Sequence, residues 1–175
     1  MPQSTKKPPK FINPPAYLAL EDLSHGPKLA EALGNMVVAW AHAEIMLFAT
    51  FARVTEIGLN MAMESSARIP TFESRTKFIF APLQEWETDE FDKDAISAAV
   101  DGLAKLARTR NHWVHGDWCA KRDKSETVIF DHRALPDSPR RKKPVKAHDV
   151  MNHCDAVKSR AAQLAKLVKY EQLEA

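Results

Sequence analysis

Hydrophobic positions recur along most of this chain at steps of three and four residues, which is the period of one face of an α-helix. The longest such stripe comprises Leu29, Leu33, Val37, Trp40, Leu47, Phe51 and Val54. It predicts a helix from Pro27 to Ile57, because proline suits the first helical turn and a glycine, here Gly58, suits the position after the last turn.

Shorter stripes predict further helices on both sides of this long one. They cover Ala16–Leu23, residues 59–69, a segment capped by Thr71 or Ser74, a segment from Asp92 or Asp94 to Val114 or His115, and Val145–Glu174. Pro70 and Gly116 mark the ends of two of these helices, because proline and glycine interrupt a helical pattern.

The period changes after Gly116. Trp118–Lys121 and Thr127–Asp131 are short enough to be strands, and the five residues between them suit a hairpin loop. The predicted fold class is therefore all-α, a bundle of four to five helices with a small β-hairpin before the last helix.

Composition agrees with one soluble globular domain, since the 175 residues are 45% hydrophobic and 27% charged. Residues 1–15 contain five prolines and three lysines, which predicts a flexible tail before a single domain over residues 16–175. A second proline-rich segment, residues 136–144, is predicted to be a solvated basic loop. Its four consecutive cations are Arg140, Arg141, Lys142 and Lys143.

The net charge, the cysteine content and the hydropathy of the chain bear on its partners and on its cellular location. The net charge of +2 does not by itself demand a nucleic-acid partner. Cys119 and Cys154 are too few for a disulfide framework, and the N-terminus lacks the apolar core of a secretory signal. His42 and Glu44 interrupt the most apolar segment, so we expect no membrane span and a cytoplasmic location.

Two charged residues interrupt the apolar stripes of the long helices. Glu44 takes a core position on the first, and Arg110 takes one on the helix that ends near His115. Because a buried charge generally has a partner, we expect Glu44 and Arg110 to meet inside the bundle or to line one cleft. The alternative is that both side chains extend to water along their aliphatic stems.

The segment around Arg110 concentrates polar side chains at the end of a helix. At 100° per residue, Asn111 and His115 share a face, and so do Arg108 and His115. Arg110 lies about 140° from His115. Arg110 and His115 therefore converge only through side-chain reach, through distortion near Gly116, or across a partner chain.

The sequence Arg110-Asn111-x-x-x-His115 resembles the motif of the HEPN superfamily, in which an Arg, usually followed by a polar residue, precedes a His by four to six positions. The order of a long first helix with an internal acid, a later motif helix and a final long helix is also similar. The resemblance implies an α-helical homodimer in which two motifs face one cleft. Active members cleave RNA without a metal or cofactor and leave a 2′,3′-cyclic phosphate.

The residue types suit that chemistry. Histidine is the residue type that most often transfers protons in catalysis, which suits His115 to that role, and Arg110 is able to bind a phosphate through two parallel hydrogen bonds. Asn111 is expected to orient His115 or to hold a phosphate oxygen, which makes Arg110, Asn111 and His115 the predicted catalytic set. Glu44, which would fix Arg110, and Arg108 are predicted supporting residues.

The predicted function is a metal-independent endoribonuclease, which the resemblance associates with toxin–antitoxin or phage-defence systems and with an antitoxin or other regulatory protein as a partner. The predicted RNA-binding residues are Arg140, Arg141, Lys142, Lys143 and Trp113. The alternative function is a non-catalytic helical module that binds RNA or a partner protein.

Other interpretations of the same residues stay open at this point. Trp113 and Trp118 are also typical of a core or a dimer contact. His115 is also a cation favoured at a helix C-terminus. A weaker alternative is a metal site, although no HExxH motif or paired CxxC is present. Its ligands would come from His112, His115, Asp117, Cys119, His42 and Glu44.

Overall fold

The computed structural model describes residues 17–130 and 142–172, which form a mainly helical fold with one small antiparallel sheet. The helices are α1 (Pro27–Thr55), α2 (Leu59–Ala67), α3 (Phe72–Glu85), α4 (Lys93–His115) and α5 (Ala147–Leu167), followed by a 3₁₀ turn at Tyr170–Gln172. The strands are β1 (Tyr17–Ala19), β2 (Asp117–Lys121), β3 (Thr127–Phe130) and β4 (Lys142–Pro144). The predicted tail at residues 1–15, Arg140 and Arg141 lie outside the described residues.

Helices α1 and α2 begin at the predicted residues, and α3 and α4 begin after capping residues that the sequence offered. Thr71 caps α3 by accepting a hydrogen bond from the Ser74 backbone at 3.1 Å. Asp92 caps α4 in the same way through the Ala95 backbone at 2.9 Å. Each side chain satisfies a backbone N–H that the first helical turn leaves without a partner.

Helix α1 forms the centre of the core. It packs along α5, and Arg53 near its end donates hydrogen bonds to the carbonyls of Val168 and Lys169 at the end of α5, at 3.0 and 3.2 Å. The two helices therefore run parallel. Helix α4 runs antiparallel to them, because Trp113 near its end packs on His153 near the start of α5.

The expectation that no segment is apolar enough to cross a membrane does not hold for α1. By length and composition alone α1 meets that criterion, and half of its most apolar window is buried within the fold. The core helix of a globular bundle has the same composition. In this fold the apolar residues of α1, among them Met36, Trp40 and Leu47, form the core with α3 and α5.

The predicted hairpin is present as β2 and β3, with Trp118 opposite Ile129. The sheet is larger than predicted, because strands join it on both sides in the order β1-β2-β3-β4. The helix expected over Ala16–Leu23 is wrong, since Tyr17–Ala19 is the edge strand β1. Its backbone is satisfied by β2, so a distant partner overrides the local helical preference.

The basic loop predicted over residues 136–144 is wrong at its end, where Lys142–Pro144 forms β4 and pairs with β3. The last helix is also shorter than predicted. It begins at Ala147, where Asp149 accepts a hydrogen bond from the Lys146 backbone at 3.2 Å, and it ends at Leu167. Lys169 then adopts a positive φ of 49°, which a continuing α-helix does not permit.

Candidate catalytic cluster at the end of helix α4

The candidate site begins at Trp40, whose side chain lies in the core with 2% of its surface exposed. Its indole nitrogen donates a hydrogen bond to Glu44 at 3.3 Å, one helical turn further along α1. Phe72 of α3 packs against the indole ring at a centroid distance of 4.7 Å. On another side, the guanidinium of Arg110 lies over the ring, 5.6 Å from its centroid. Trp40 therefore contacts both charged residues that interrupt the stripes.

Glu44 and Arg110 share Trp40 but do not form the ion pair that the sequence predicts. Glu44 instead pairs with Arg75 of α3, whose Nη1 lies 3.1 Å from Oε1 of Glu44. Arg75 also donates to the carbonyl of Ile69 at 2.9 Å. The pairing follows from packing, since α3 lies beside α1 and α4 at this level and brings a cation of its own.

Sequence reasoning missed Arg75, although its position offered the same evidence as Glu44 and Arg110. Arg75 follows Phe72 by three residues and precedes Ile79 by four, and both of those neighbours are buried. It therefore interrupts an apolar stripe on α3 at helical spacing. Three helices, rather than two, therefore have a charged residue within an apolar stripe. Tertiary packing determines which two of these charges form the ion pair.

Asn111 contacts Arg110, whereas the sequence predicts that it orients His115 or holds a phosphate oxygen. The Nη1 of Arg110 donates to the side-chain oxygen of Asn111 at 2.9 Å. The Nε of Arg110 is enclosed and has no hydrogen-bond acceptor among the described residues. The Trp40 ring and Asn111 therefore fix the guanidinium, which remains partly accessible to solvent. Such a group is able to bind an anionic oxygen from outside.

His115 is the last residue of α4, and its side chain is exposed. Within residues 17–130 and 142–172, no hydrogen bond joins it to Arg110, in agreement with the angle of about 140° between those two positions. None joins it to Asn111 either, although Asn111 and His115 share a face of the helix. The N–H of Gly116 makes the last helical hydrogen bond, to the His112 carbonyl at 3.0 Å, and the helix stops there because the backbone of Gly116 is extended. A Cβ at Gly116 would collide with Ile129 and with that carbonyl, so no larger residue fits.

The end of α4 differs from the predicted stripe at one position. The helical spacing of Val100, Leu103 and Ala107 continues through Arg110 to Val114 and so predicts that Val114 is buried. Val114 is 39% exposed, whereas Trp113 is 7% exposed. Trp113 packs edge-on against His153 at a centroid distance of 4.9 Å, and its carbonyl accepts a hydrogen bond from the Trp118 indole at 2.8 Å. Trp113 thus has little ring surface available for base stacking, as the core interpretation expects.

Of the predicted supporting and RNA-binding residues, Arg108 and Lys143 lie on a different side of α4 from Arg110. Arg108 and Lys143 line a groove of about 400 Å³ between α4 and the β4–α5 connection. Lys142 begins β4, and its backbone pairs with Phe130. Among the residues that the structure describes, Lys143 is therefore the member of the basic segment whose side chain reaches this groove.

The buried histidine beneath this region is His153 of α5, which contacts Trp113. Burial lowers the pKa of His153 below its ordinary value of 6.5. Burial also raises the pKa of the Cys119 thiol, with a further contribution from Asp117. Among the described residues, no hydrogen bond joins His153 or Cys119 to Trp40, Glu44, Arg110 or Asn111. Both shifts therefore reflect packing in the fold.

The proposed metal ligands do not converge. In the described ranges, no group of three or more His, Cys, Asp or Glu side chains is arranged to hold a metal ion. The structure does bring together Arg110, Asn111 and, through Trp40, Glu44. Comparisons of the chain with protein-family models, with curated proteins and with solved structures find no match.

Proposed function

We propose that this chain is a metal-independent endoribonuclease of the HEPN type, which works in the cytoplasm as a homodimer. The observation on which the proposal depends is the guanidinium of Arg110, held by Trp40 and Asn111 on the helix that ends in an exposed His115. This arrangement supplies a fixed anion-binding group and an accessible proton-transfer group on one short segment.

The cleavage step uses these groups in distinct roles. Neutral His115 accepts the proton of a ribose 2′-hydroxyl while the 2′-oxygen attacks the adjacent phosphorus. Arg110 stabilises the negative charge that develops on the phosphate oxygens. The bond from phosphorus to the 5′-oxygen breaks, and this oxygen takes up a proton from water, while the protonated His115 returns its proton to the solvent. The products are a 2′,3′-cyclic phosphate and a 5′-hydroxyl.

Asn111 and Glu44 act as positioning residues in this proposal. Asn111 holds one nitrogen of Arg110 directly at 2.9 Å. Glu44 acts indirectly. It accepts a hydrogen bond from the indole of Trp40, and the Arg110 guanidinium lies over that indole. Arg75 in turn neutralises Glu44, so that Arg110 does not face an unpaired carboxylate.

A second copy of the chain would bring an Arg110 and a His115 to the same site, although the two residues lie apart within one chain. Val37 and Val114 are exposed apolar side chains that flank the contact between Arg110 and Trp40 on the same side, because α4 runs antiparallel to α1. Val38 on α1 is also exposed. A two-fold partner that covers these valines would bring its own His115 towards Arg110.

The direct test measures cleavage of single-stranded RNA by the purified protein in EDTA. We expect the wild type to leave products with a 2′,3′-cyclic phosphate and His115→Ala to leave the RNA intact. His42→Ala, an exposed histidine on α1 that belongs to the metal alternative, should cleave like the wild type. Cleavage that EDTA abolishes, or that survives in His115→Ala, would contradict the proposal.

The second candidate function is a non-catalytic module that binds RNA or a protein partner. It is favoured by the separation of His115 from Arg110 within one chain. Under this alternative the wild type binds RNA or a partner in pull-down experiments and does not cleave RNA with or without metal ions. Overexpression separates the two functions in cells, since a toxin-type nuclease arrests growth and its His115→Ala variant does not.

A further inference from the structure

We propose that the groove between α4 and the β4–α5 connection binds one nucleotide of a single RNA strand and guides that strand to His115. This inference rests on the proposed function, because it names the path of the substrate at the same helix. The groove has a volume of about 400 Å³, near the small end of ligand pockets. That size suits one nucleotide and excludes a duplex.

The charges on the groove favour an anion. Arg108 and Lys143 lie on its rim with exposed side chains, and His112 also lines it. Among the described residues, Asp149 is the acidic residue that lines the groove. The groove therefore has more positive than negative charge, which suits the phosphate of a nucleotide.

The acidic side chains near these cations already have partners. One carboxylate oxygen of Asp149 accepts a hydrogen bond from the Lys146 backbone at 3.2 Å, and the other lies 3.0 Å from a ring nitrogen of His148. Glu73, a further acid within electrostatic reach of Arg108, pairs with Lys77 at 2.8 Å. Within residues 17–130 and 142–172, these acids therefore leave Arg108 and Lys143 available to a ligand.

The walls of the groove add an apolar surface beside the charges. Val145 and Trp113 are buried side chains that line its inner wall, and Pro144 lines it from β4. A nucleotide has the same division, with a charged phosphate on one side and an apolar base and sugar face on the other. The buried indole of Trp113 shapes this wall rather than offering an open stacking face.

The groove lies on the face of α4 that ends at His115. Arg108, His112 and His115 follow one another at spacings of four and three residues, so they project from one side of the helix. From Arg108 to His115 the helix rises about 10 Å. A strand whose phosphate lies between Arg108 and Lys143 needs only a short further stretch to reach His115. Arg110, from the partner copy, would meet the strand there.

The test measures binding in a His115→Ala background, so that the RNA stays intact. The probe is a fluorescein-labelled single-stranded 12-mer RNA, followed by fluorescence anisotropy over a range of salt concentrations. We expect Arg108→Ala with Lys143→Ala to raise Kd at least tenfold. The slope of log K against log salt should fall by about 0.7, because the groove neutralises one phosphate of a single strand.

The matched control removes two charges elsewhere. Lys158→Ala with Lys166→Ala changes two exposed lysines on α5 that do not line the groove. We expect this control to keep the Kd and salt slope of the parent. Equal weakening in both double variants would overturn the inference, because it would show that overall charge rather than the groove determines binding.

Competition identifies the ligand class. Unlabelled RNA should displace the probe, whereas adenosine monophosphate or polyglutamate at the same phosphate or carboxylate concentration should displace much less. Equal displacement by the free nucleotide or by polyglutamate would overturn the inference in favour of a small-molecule site or an acidic protein surface.

The outcomes also separate this inference from the proposed function. If the wild type cleaves RNA and the groove variant binds as tightly as its parent, the nuclease proposal stands and the groove inference fails. If binding depends on Arg108 and Lys143 but no RNA is cleaved under any condition, the groove stands and the nuclease proposal fails. If the His115→Ala protein does not bind the RNA probe, the groove inference fails, whether or not the wild type cleaves RNA.

Discussion

The guanidinium of Arg110 meets three different surfaces, and this combination explains why an arginine is needed there. It lies over the Trp40 ring, 5.6 Å from the ring centroid, donates to Asn111 at 2.9 Å, and remains partly open to solvent. A planar group with five donors is able to satisfy all three surfaces at once, whereas an ammonium group acts as a single point of charge. The site therefore depends on the shape of this side chain as well as on its charge.

Arg110→Lys should accordingly fold and still lose activity. We expect RNA cleavage to fall at least tenfold, because lysine keeps the positive charge but cannot hold Asn111 and bind a phosphate in parallel. Single-turnover cleavage at saturating enzyme measures this effect, and the thermal midpoint checks the fold. Arg160→Lys, on the exposed side of α5, is the matched control. A wild-type rate in Arg110→Lys would show that Arg110 serves packing alone.

The ion pair between Glu44 and Arg75 also belongs to the scale of single residues. The two side chains are 29% and 17% exposed, so their attraction is only partly screened by solvent. We expect a double-mutant cycle of Glu44→Gln and Arg75→Gln to give a coupling energy of about 1 kcal/mol in urea unfolding. The parallel cycle of Glu44→Gln and Arg110→Gln should give a smaller value. A larger coupling to Arg110 would support the pair that the sequence first suggested.

At the scale of elements, α5 contains a histidine whose protonation opposes folding. Burial lowers the pKa of His153 below 6.5, so the unfolded chain binds its proton more readily than the folded chain does. The stabilisation is complete above the unfolded pKa of 6.5 and is lost as the pH falls below it towards the folded pKa. The loss reaches at most about 1.4 kcal/mol per pH unit for one proton.

His153→Leu should remove this part of the pH dependence. We expect the free energy of unfolding of the wild type to fall between about pH 7 and pH 5.5, and that of His153→Leu to change less over the same interval. Urea unfolding at each pH measures both. His42→Leu, an exposed histidine on α1, is the control and should follow the wild type. Parallel curves for His153→Leu and the wild type would contradict the assignment.

The elements also show what a sequence is able to predict. The helices with their own caps, such as α3 with Thr71 and α4 with Asp92, follow from local chemistry and were predicted close to their observed bounds. Strands β1 and β4 have three residues each, and their hydrogen bonds come from β2 and β3. Such short edge strands exist only because a sheet is present, so nothing in their own residues predicts them.

The same distinction applies to the candidate site. The positions of Arg110, Asn111 and His115 on α4 follow from helical spacing, and so does the angle that separates Arg110 from His115. The partner of Glu44 does not, because three helices each offer a charge at this level and their packing determines which two meet. Helix spacing predicts the face of a side chain, and only tertiary packing decides its partner.

At the scale of the whole molecule, the central question is whether Arg110 and His115 act from one chain or from two. Within one chain the two residues lie on different sides of α4, and Arg110 is already fixed against Trp40. Exposed valines on α1 and α4 flank this contact. A two-fold dimer with these faces together would pair each Arg110 with the His115 of the partner subunit.

Mixing two inactive variants tests this arrangement directly. Arg110→Ala and His115→Ala should each be inactive alone, and a mixture refolded at equal concentrations should recover about a quarter of the wild-type activity. Half of the dimers are then mixed, and each has one complete site out of two, because one subunit supplies Arg110 and the other supplies His115. Measurement of the cyclic-phosphate product against the mixing ratio should give a maximum at equal amounts. If each site forms within a single chain, no mixture of these variants regains activity, so a flat response at the background level would reject the shared site.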